Sequence, residues 1–169
     1  MNHEVPTSVL EQYDLGKIDS ITPISSGLVH QTFHIKSDKG QYIIQKLHAV
    51  LATEEIASDF KAVTSFLKEK NFLAPECVFT KDSNVLSQDG KNQWRMQTAI
   101  AGRSVDAIEN QAMAKEAGRI YAEFHRVLSE IDYEFQSDLI LHQTKKEYEK
   151  FLSALPNELP EEVNDEVGF

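Results

Sequence analysis

The sequence has one cysteine, Cys77, no long apolar run and few basic residues, with 17 Lys and Arg against 27 Asp and Glu. A lone cysteine excludes an intramolecular disulfide and fits a reducing compartment. Without a run of about 18 apolar residues the sequence predicts no membrane span, and without a basic, apolar N-terminus it predicts no secretory signal. The net charge of −10 disfavours binding to nucleic acid. We therefore expect a cytoplasmic globular protein whose partners are neither membranes nor nucleic acids.

Hydrophobic periodicity is present along most of the chain, and 41% of the residues are hydrophobic, which is enough for a core. Period-two alternation predicts strands at 17–24, 32–36, 41–47, 77–80, 84–87 and 94–100. Helical periodicity predicts helices at 8–13, 53–70, 104–131 and 144–152. Short turns between strands require antiparallel pairing. The pattern predicts an α+β fold, in which one long helix covers an antiparallel sheet of five or six strands and further helices follow.

Local signals predict where the helices begin and end and which faces are buried. The expected caps and stops are Ser8 with Glu11, Thr53, Asn71, Ser104, and Thr144 with Glu147. In the first strand, alternation places Ile18 and Ile24 on one face and Ile21 on the other. The helix that begins near residue 144 is expected to bury Tyr148, Phe151 and Leu152. Residues 154–169 are rich in acidic residues and proline, and we expect them to fray.

The loop after the first strand contains a candidate phosphate-binding turn, Ser25-Ser26-Gly27, with His30 close behind it. A glycine turn between two strands, a polar third strand and a following helix are the layout of a kinase small lobe. Such a lobe needs N–H donors over the phosphates, a cation or strong donor beneath them and an apolar slot for adenine. One glycine is fewer than a full glycine-rich loop contains, so a plain β-turn is the alternative.

Two polar residues, Gln45 and Lys46, interrupt the apolar run of the third strand. Since side chains alternate along a strand, only one of them can face a ligand. Lys46 contacts phosphate if it faces the ligand, and is an ordinary solvated side chain if it does not. A carboxylate from the next helix is a candidate partner that would hold Lys46 in place; the candidates are Glu54, Glu55 and Asp59.

Residues 94–102 occupy the position of a kinase hinge, where backbone groups read the edge of adenine. The candidate adenine-binding residues are Gln97, Thr98, Ala99 and Ile100. Trp94 either stacks on adenine or belongs to the core, and its place in a strand favours the core. His30 and His34 have no third ligand in view for zinc. Cys77 has no neighbouring base or basic cluster, so we expect a small core residue and not a nucleophile.

Residues 24–33 and 40–47 resemble the first loop and third strand of the aminoglycoside-phosphotransferase and choline-kinase-like small-molecule kinases, which have the protein-kinase-like fold. The resemblance is greatest to the N-acetylhexosamine kinase branch, in which a G-L-I-N-x-T-Y loop precedes a Y-I-x-Q-R-I-N strand. Further segments resemble the hinge of the family (94–96 and 100–104), its next helix (117–125) and its F-H-D-T-x-x-R-Y segment (142–151). The resemblance covers 17–152 and implies an ATP-binding N-terminal lobe. The implied nucleotide-binding residues are Ser25, Ser26, Gly27, His30, Gln45, Lys46, Asp59, Gln97, Thr98, Ala99 and Ile100.

The sequence departs from this family in three places. His30 stands where the family has Asn, and the basic residue of the third strand falls on Gln45 or Lys46 depending on register. No H-x-D-x-x-x-x-N catalytic loop is present, since none of the six histidines is followed by Asp two positions later. The family carries that loop, with its base and magnesium ligands, in a second lobe. We therefore expect a nucleotide-binding lobe at 1–102, a helical linker at 103–153 and an acidic tail at 154–169, inactive alone and binding magnesium only with the missing catalytic lobe.

Three functions fit the sequence. The first is the ATP-binding lobe of a small-molecule kinase that phosphorylates a hydroxyl of a small polar substrate, an amino sugar by resemblance. The second is a non-catalytic binding module of the same ancestry, a possible homodimer through the face that a second lobe would cover. The third is an unrelated α+β binding domain. We predict the first; nucleotide binding separates it from the third, and oligomeric state separates it from the second.

Overall fold

The computed structural model describes residues 4–25, 29–102, 105, 107–137 and 144–154. The chain divides into two compact units, Met1–Ser137 and Asp138–Phe169. The elements in chain order are α1 (Thr7–Leu10), β1 (Ile18–Ile24), β2 (Gln31–Ser37), β3 (Gly40–Lys46), a 3-10 turn (Ala49–Leu51), α2 (Glu54–Glu69), β4 (Cys77–Val78), β5 (Leu86–Asp89), β6 (Asn92–Thr98), α3 (Gln111–Leu128) and α4 (Thr144–Ala154). The first unit contains α1 to α3, and the second contains α4.

The strands form one antiparallel sheet in the order β1-β2-β3-β6-β4, with β5 also paired to β6. The β2–β3 hairpin closes with Ser37 opposite Gly40, at the turn that the sequence predicted. Helix α2 follows β3 along the chain and packs beside β4. The α+β class, the antiparallel sheet and the long helix beside it are as predicted.

The main core lies on the face of the sheet that the N-terminal segment covers, which we call the α1 face. Its buried side chains are Phe33, Ile35, Ile44, Trp94 and Met96 from the strands, and Val5, Val9, Tyr13 and Leu15 from the N-terminal segment. The Tyr13 hydroxyl donates to Ser87 Oγ at 3.1 Å, and burial raises the pKa of Tyr13 to about 12. Each large apolar side chain buried there contributes about 1.5–3 kcal/mol. The N-terminal segment is therefore an integral part of this core.

Helix α2 begins and ends at the residues that the sequence indicated. Thr53 is its N-cap, with Oγ1 accepting a hydrogen bond from Ile56 N at 3.3 Å. Two glutamates in its first turn complement the positive end of the helix dipole. The chain leaves the helix through Asn71, whose φ of 54° is a left-handed conformation that asparagine tolerates. The predicted cap and stop of this helix are confirmed.

A β-bulge in β1 changes which residues share a face. The register shifts between Ile18 and Ser20, so Ile18 lies opposite Ser37, and Ile21 lies opposite Ile35. Because Ser37 and Ile35 are on one face of β2, Ile18 and Ile21 also share a face. The prediction that they face opposite ways is wrong, since one inserted residue reverses the alternation.

Two predicted helix caps differ from the structure. Helix α1 begins before Ser8 and has no side-chain cap, so the predicted capping box is wrong. Helix α3 is capped by Asn110, whose side chain accepts from Met113 N at 2.9 Å. The predicted cap, Ser104, lies outside the described residues, as does the predicted tail beyond Ala154. Strands β5 and β6 are also displaced along the chain from their predicted bounds.

Helices α3 and α4 both expose apolar side chains. In α3, Ile120 is 47% and Tyr121 is 67% exposed. In α4, which belongs to the second unit, Tyr148, Phe151 and Leu152 are not buried within that unit, and their predicted burial stays a prediction. Despite these apolar faces, no helix among the described residues has the length and hydropathy needed to cross a membrane.

Candidate functional site

The two faces of the sheet separate the two candidate residues of β3. Gln45 pairs with Arg95 of β6, and Lys46 pairs with Trp94. Because side chains alternate along a strand, Gln45 and Arg95 share one face, and Lys46 and Trp94 share the other. Trp94 lies in the core on the α1 face. The Arg95 guanidinium lies over the Phe60 ring of α2, 4.1 Å from its centroid, so Gln45 and Arg95 are on the side we call the α2 face.

Arg95 is a cationic group in the middle of the α2 face. Its Nη2 donates a hydrogen bond to Gln45 Oε1 at 2.8 Å, and burial lowers its pKa below the ordinary value. Among the described residues, its buried Nε has no hydrogen-bond partner and no carboxylate forms an ion pair with it. The sequence prediction missed this residue. Its signal was a lone charge between the apolar residues Trp94 and Met96 of one strand.

His30 precedes β2 and is close enough to Arg95 to be affected by its charge. Its Nδ1 accepts a hydrogen bond from the backbone N–H of His48 at 3.2 Å. Burial lowers the pKa of His30, and the nearby positive charges of Arg95 and His48 lower it further. The neutral ring with Nδ1 as an acceptor carries its proton on Nε2. His30 therefore presents an N–H donor, and not a charge, at neutral pH.

We expect Arg95→Gln to raise the pKa of His30, because the substitution removes a positive charge that opposes protonation of the ring. The pKa should stay below the ordinary value, since burial still disfavours the imidazolium form. An NMR titration of the imidazole resonances measures the shift. Lys46→Gln is the matched control, because it removes one positive charge from the opposite face of the sheet. Equal shifts in the two variants would contradict the placement of Arg95 beside His30.

The Asp59 carboxylate is bound to the segment that follows α3. Oδ1 accepts from the Tyr133 hydroxyl at 3.0 Å and from Gln136 N at 2.8 Å, and Oδ2 accepts from Ser137 N at 2.9 Å and from the Ser137 hydroxyl. Burial would raise the pKa of Asp59, but these hydrogen bonds outweigh it and hold the pKa below the ordinary value. The predicted pairing with Lys46 is therefore wrong: the carboxylate has other partners, and Lys46 lies on the α1 face.

The β1–β2 loop lies at the C-terminal end of β3, since Gln31 pairs with Lys46. Ser25, the first residue of this loop, is exposed. Ser26 and Gly27 lie outside the described residues, so their role in phosphate binding stays a prediction. Arg95 pairs with Gln45, the residue before Lys46, so the loop and Arg95 are near the same end of β3.

The predicted hinge lies at the opposite end of β6. Its four candidate residues are Gln97 and Thr98, which end the strand, and Ala99 and Ile100, which follow it. The N–H groups of Thr98 and Ala99 donate to the carbonyl groups of Glu76 and Gln41, both at 2.9 Å. These two N–H groups are therefore engaged within the sheet. Ile100 is 45% exposed and lies beyond the last strand residue.

Trp94 and Cys77 lie in surroundings typical of residues with a structural role. Trp94 is 1% exposed, with its ring centroid 6.2 Å from that of Phe33, so the core interpretation is confirmed and stacking on a ligand is excluded. Burial raises the pKa of Cys77 to about 11, so the thiolate is scarce at neutral pH and the residue is a poor nucleophile. No group of three or more His, Cys, Asp or Glu side chains in the described part of the chain is placed to hold a metal ion.

The chain has measurable similarity to known phosphotransferases. Residues 20–166 match the sequence model of the Phosphotransferase enzyme family. An amicoumacin kinase, solved in complex with AMP-PNP, Ca2+ and Ami, aligns with a TM-score of 0.64 and 13% identity over 92% of this chain and 49% of that one. A spectinomycin phosphotransferase, solved in complex with ADP and spectinomycin, aligns with a TM-score of 0.46 and 10% identity over 86% of this chain and 45% of that one. This chain spans about half the length of these two structures.

The structural likeness to the amicoumacin kinase confirms the predicted fold, a protein-kinase-like N-terminal lobe followed by helices. The family model covers most of the sequence, including the segments of loop, third strand and hinge whose motifs carried the resemblance. The chain belongs to the Phosphotransferase enzyme family.

Proposed function

We propose that this chain is the ATP-binding N-terminal lobe of a small-molecule kinase, completed by a catalytic lobe outside it. Family membership, the kinase-like fold and the match to half of a kinase structure support the proposal. The observation that carries most weight is the α2 face, where Gln45 and Arg95 place polar and cationic groups between the β1–β2 loop and the hinge. Phosphoryl transfer relies on such groups to bind and orient the phosphates.

In this proposal the nucleotide lies along the α2 face. The residues over the phosphates are Ser25, Ser26, Gly27 and His30, and the residue beneath them is Gln45. The adenine-binding segment is Gln97, Thr98, Ala99 and Ile100, in which the N–H groups of Thr98 and Ala99 are already bonded and do not donate to adenine. Lys46 lies on the opposite face and Asp59 is bound elsewhere, so we leave both out of the site. Ile100 is five residues beyond Arg95, and the chain rises about 3.3 Å per residue along β6 and just beyond it. An extended nucleoside triphosphate can bridge the resulting distance.

The parent enzyme would transfer the γ-phosphoryl group of ATP to a hydroxyl group of a small polar substrate. The amicoumacin kinase was solved with AMP-PNP, which supports a nucleotide as the donor. An amino sugar as acceptor rests on the resemblance of the loop and third strand to the N-acetylhexosamine kinase branch. We place the magnesium ligands and the catalytic base in the missing lobe, since the sequence has no H-x-D-x-x-x-x-N loop. On this view 1–102 is the nucleotide-binding lobe, 103–153 the linker, 154–169 a tail, and the protein is cytoplasmic.

Titration of the 169-residue chain with ATP and Mg2+ tests the proposal. Binding raises the free energy of unfolding by RT ln(1 + [L]/Kd), which is about 1.4 kcal/mol at ten times Kd. We expect heat of binding by calorimetry and a higher melting temperature at millimolar ATP, with a smaller effect from adenosine, which lacks the phosphates. Absence of both heat and stabilisation at millimolar ATP would refute nucleotide binding by this chain.

A non-catalytic dimerisation module of kinase ancestry is the second candidate. The exposed side chains of Ile120 and Tyr121 on one helix favour it, because an apolar face on a protein surface commonly marks an interaction site. Light scattering after size exclusion, at several protein concentrations, measures the oligomeric state. A dimer that does not bind ATP favours the module, whereas a monodisperse monomer that binds ATP favours the nucleotide-binding lobe.

A further inference from the structure

We propose that Arg95 of β6 supplies the cationic side chain that binds the phosphate oxygens of the nucleotide, with Gln45 of β3 as its positioning residue. This inference rests on the proposed function and names a residue to which the sequence resemblance assigned no phosphate contact. The resemblance placed the basic residue on the third strand. The register of the sheet instead gives that strand a neutral amide on the α2 face and gives the neighbouring strand the guanidinium.

The guanidinium, which lies on the α2 face, has unused hydrogen-bonding capacity. An arginine side chain carries five N–H donors, and Nη2 of Arg95 donates to Gln45 Oε1 at 2.8 Å. Its Nε is buried without a hydrogen-bond partner among the described residues. A buried donor without a partner is unfavourable unless a ligand satisfies it. Phosphate oxygens suit a guanidinium particularly well, because two parallel N–H groups can bind two oxygens.

The charge of Arg95 is also not neutralised by any carboxylate in the described ranges. Phe60 of α2 contacts it, with the ring centroid 4.1 Å from the guanidinium carbon. A cation–π contact of this kind stabilises a cation and brings no negative charge. In kinases the corresponding strand lysine pairs with a helix glutamate. Here the aromatic ring holds the guanidinium in place and leaves its charge available to an anion.

Lys46 is a poor candidate for the same role. It pairs with Trp94, which is buried in the core on the α1 face. Its surroundings on that face include Glu4 and Asp89, which line the same surface depression. Two carboxylates that line the same depression disfavour an anionic ligand there. The sheet itself separates Lys46 from the α2 face.

The main alternative is that Arg95 only anchors α2 to the sheet through Phe60. In that case its removal would change stability without changing phosphate affinity. Gln45 would then be an ordinary polar neighbour. The experiment must therefore measure affinity for the phosphate chain separately from folding.

Calorimetric titrations with ATP, inorganic tripolyphosphate and adenosine separate these possibilities. We expect Arg95→Gln to weaken binding of ATP and of tripolyphosphate by roughly 10- to 100-fold and to leave adenosine binding within about twofold. Lys46→Gln is the matched control with the same loss of charge, and we expect less than a roughly twofold change. Gln45→Leu should weaken tripolyphosphate binding by less than Arg95→Gln does, because it misplaces the guanidinium without removing it. Circular dichroism checks that each variant is folded.

The outcomes distinguish this inference from the proposed function. If the wild-type chain binds ATP and Arg95→Gln binds it equally well, the role of Arg95 is overturned and nucleotide binding stands. If Lys46→Gln loses as much affinity as Arg95→Gln, the phosphates do not bind specifically on the α2 face and the role of Arg95 is overturned. If the wild-type chain binds neither ATP nor tripolyphosphate, both the function and the role of Arg95 are wrong. If Arg95→Gln does not fold, the Nε–H resonance of Arg95 in the wild-type chain decides: it should shift on addition of tripolyphosphate, and no shift overturns the inference.

Discussion

Trp94→Ala should lower the free energy of unfolding by about 3–5 kcal/mol, the range for truncating a large buried aromatic side chain. Trp94 is 1% exposed and contacts the core on the α1 face, where its ring centroid is 6.2 Å from that of Phe33. Its Nε1 donates to Asp89 Oδ2 at 3.0 Å, a hydrogen bond that the variant also loses. Asp89 Oδ1 keeps the hydrogen bond from Asn92 Nδ2 at 2.7 Å, so the variant leaves a cavity and removes the donor of Oδ2 only.

Urea denaturation followed by far-UV circular dichroism measures this change, because the variant has lost the only tryptophan of the chain and with it the fluorescence signal. Trp94→Phe should lower the free energy of unfolding by less, since most of the ring packing remains. Leu73→Ala is the surface control: Leu73 is 79% exposed, so its truncation should change the stability by less than about 0.5 kcal/mol. A loss for Trp94→Ala as small as that of Leu73→Ala would show that this core does not form as described.

The parts of the fold that the sequence predicted correctly depend on local signals. The hydroxyl of Thr53 caps α2 by accepting a hydrogen bond from Ile56 N, three residues later in the chain. Asn71 ends the helix by adopting a positive φ. Each residue acts within one turn of the helix end beside it. The hairpin between Ser37 and Gly40 is likewise closed by neighbouring residues. Each of these signals acts over fewer than about five residues, so a single sequence contains all of the information needed to interpret it.

The parts that the sequence did not predict depend on contacts between distant residues. The bulge that places Ile18 and Ile21 on one face depends on pairing with β2. One inserted residue does not change the composition of the strand, so the sequence of β1 alone does not reveal it. Arg95 becomes a partly buried cation only because β6 pairs with β3 and because Phe60 of α2 lies against it. A lone charge in an apolar strand could indicate that Arg95 belongs to the candidate site. The sequence does not indicate which face of the sheet its side chain occupies.

Asp59 links α2 to the segment 133–137 through hydrogen bonds, and its substitution is the second change expected to have a large effect on stability. We expect Asp59→Ala to lower the free energy of unfolding by about 2–4 kcal/mol, because it removes a carboxylate that accepts hydrogen bonds from three residues. Asp59→Asn should have a smaller effect, because the amide oxygen can still accept from Tyr133 and Gln136 while the amide nitrogen cannot accept from Ser137. Glu69→Ala is the matched control, since it removes an exposed carboxylate from the same helix.

The contribution of Asp59 should also depend on pH in a defined direction. Its pKa in the folded chain is below the ordinary value of 3.8, so the folded state binds the proton less readily than the unfolded state does. The stabilisation is therefore fully present above about pH 4 and is lost as the pH falls through the folded-state pKa. The difference in stability between the wild-type chain and Asp59→Asn should shrink over that interval.

Hydrogen exchange locates the effect of Asp59 within the chain. The backbone N–H groups of Gln136 and Ser137 donate to the carboxylate at 2.8 and 2.9 Å, so both should lose protection in Asp59→Ala. The N–H groups of the β3–β6 ladder should keep theirs, because no atom of Asp59 takes part in that pairing. Unchanged protection of Gln136 and Ser137 would contradict the role described for Asp59. Equal loss of protection across the sheet would mean that the segment 133–137 unfolds together with the sheet, and that Asp59 stabilises the whole unit and not one attachment.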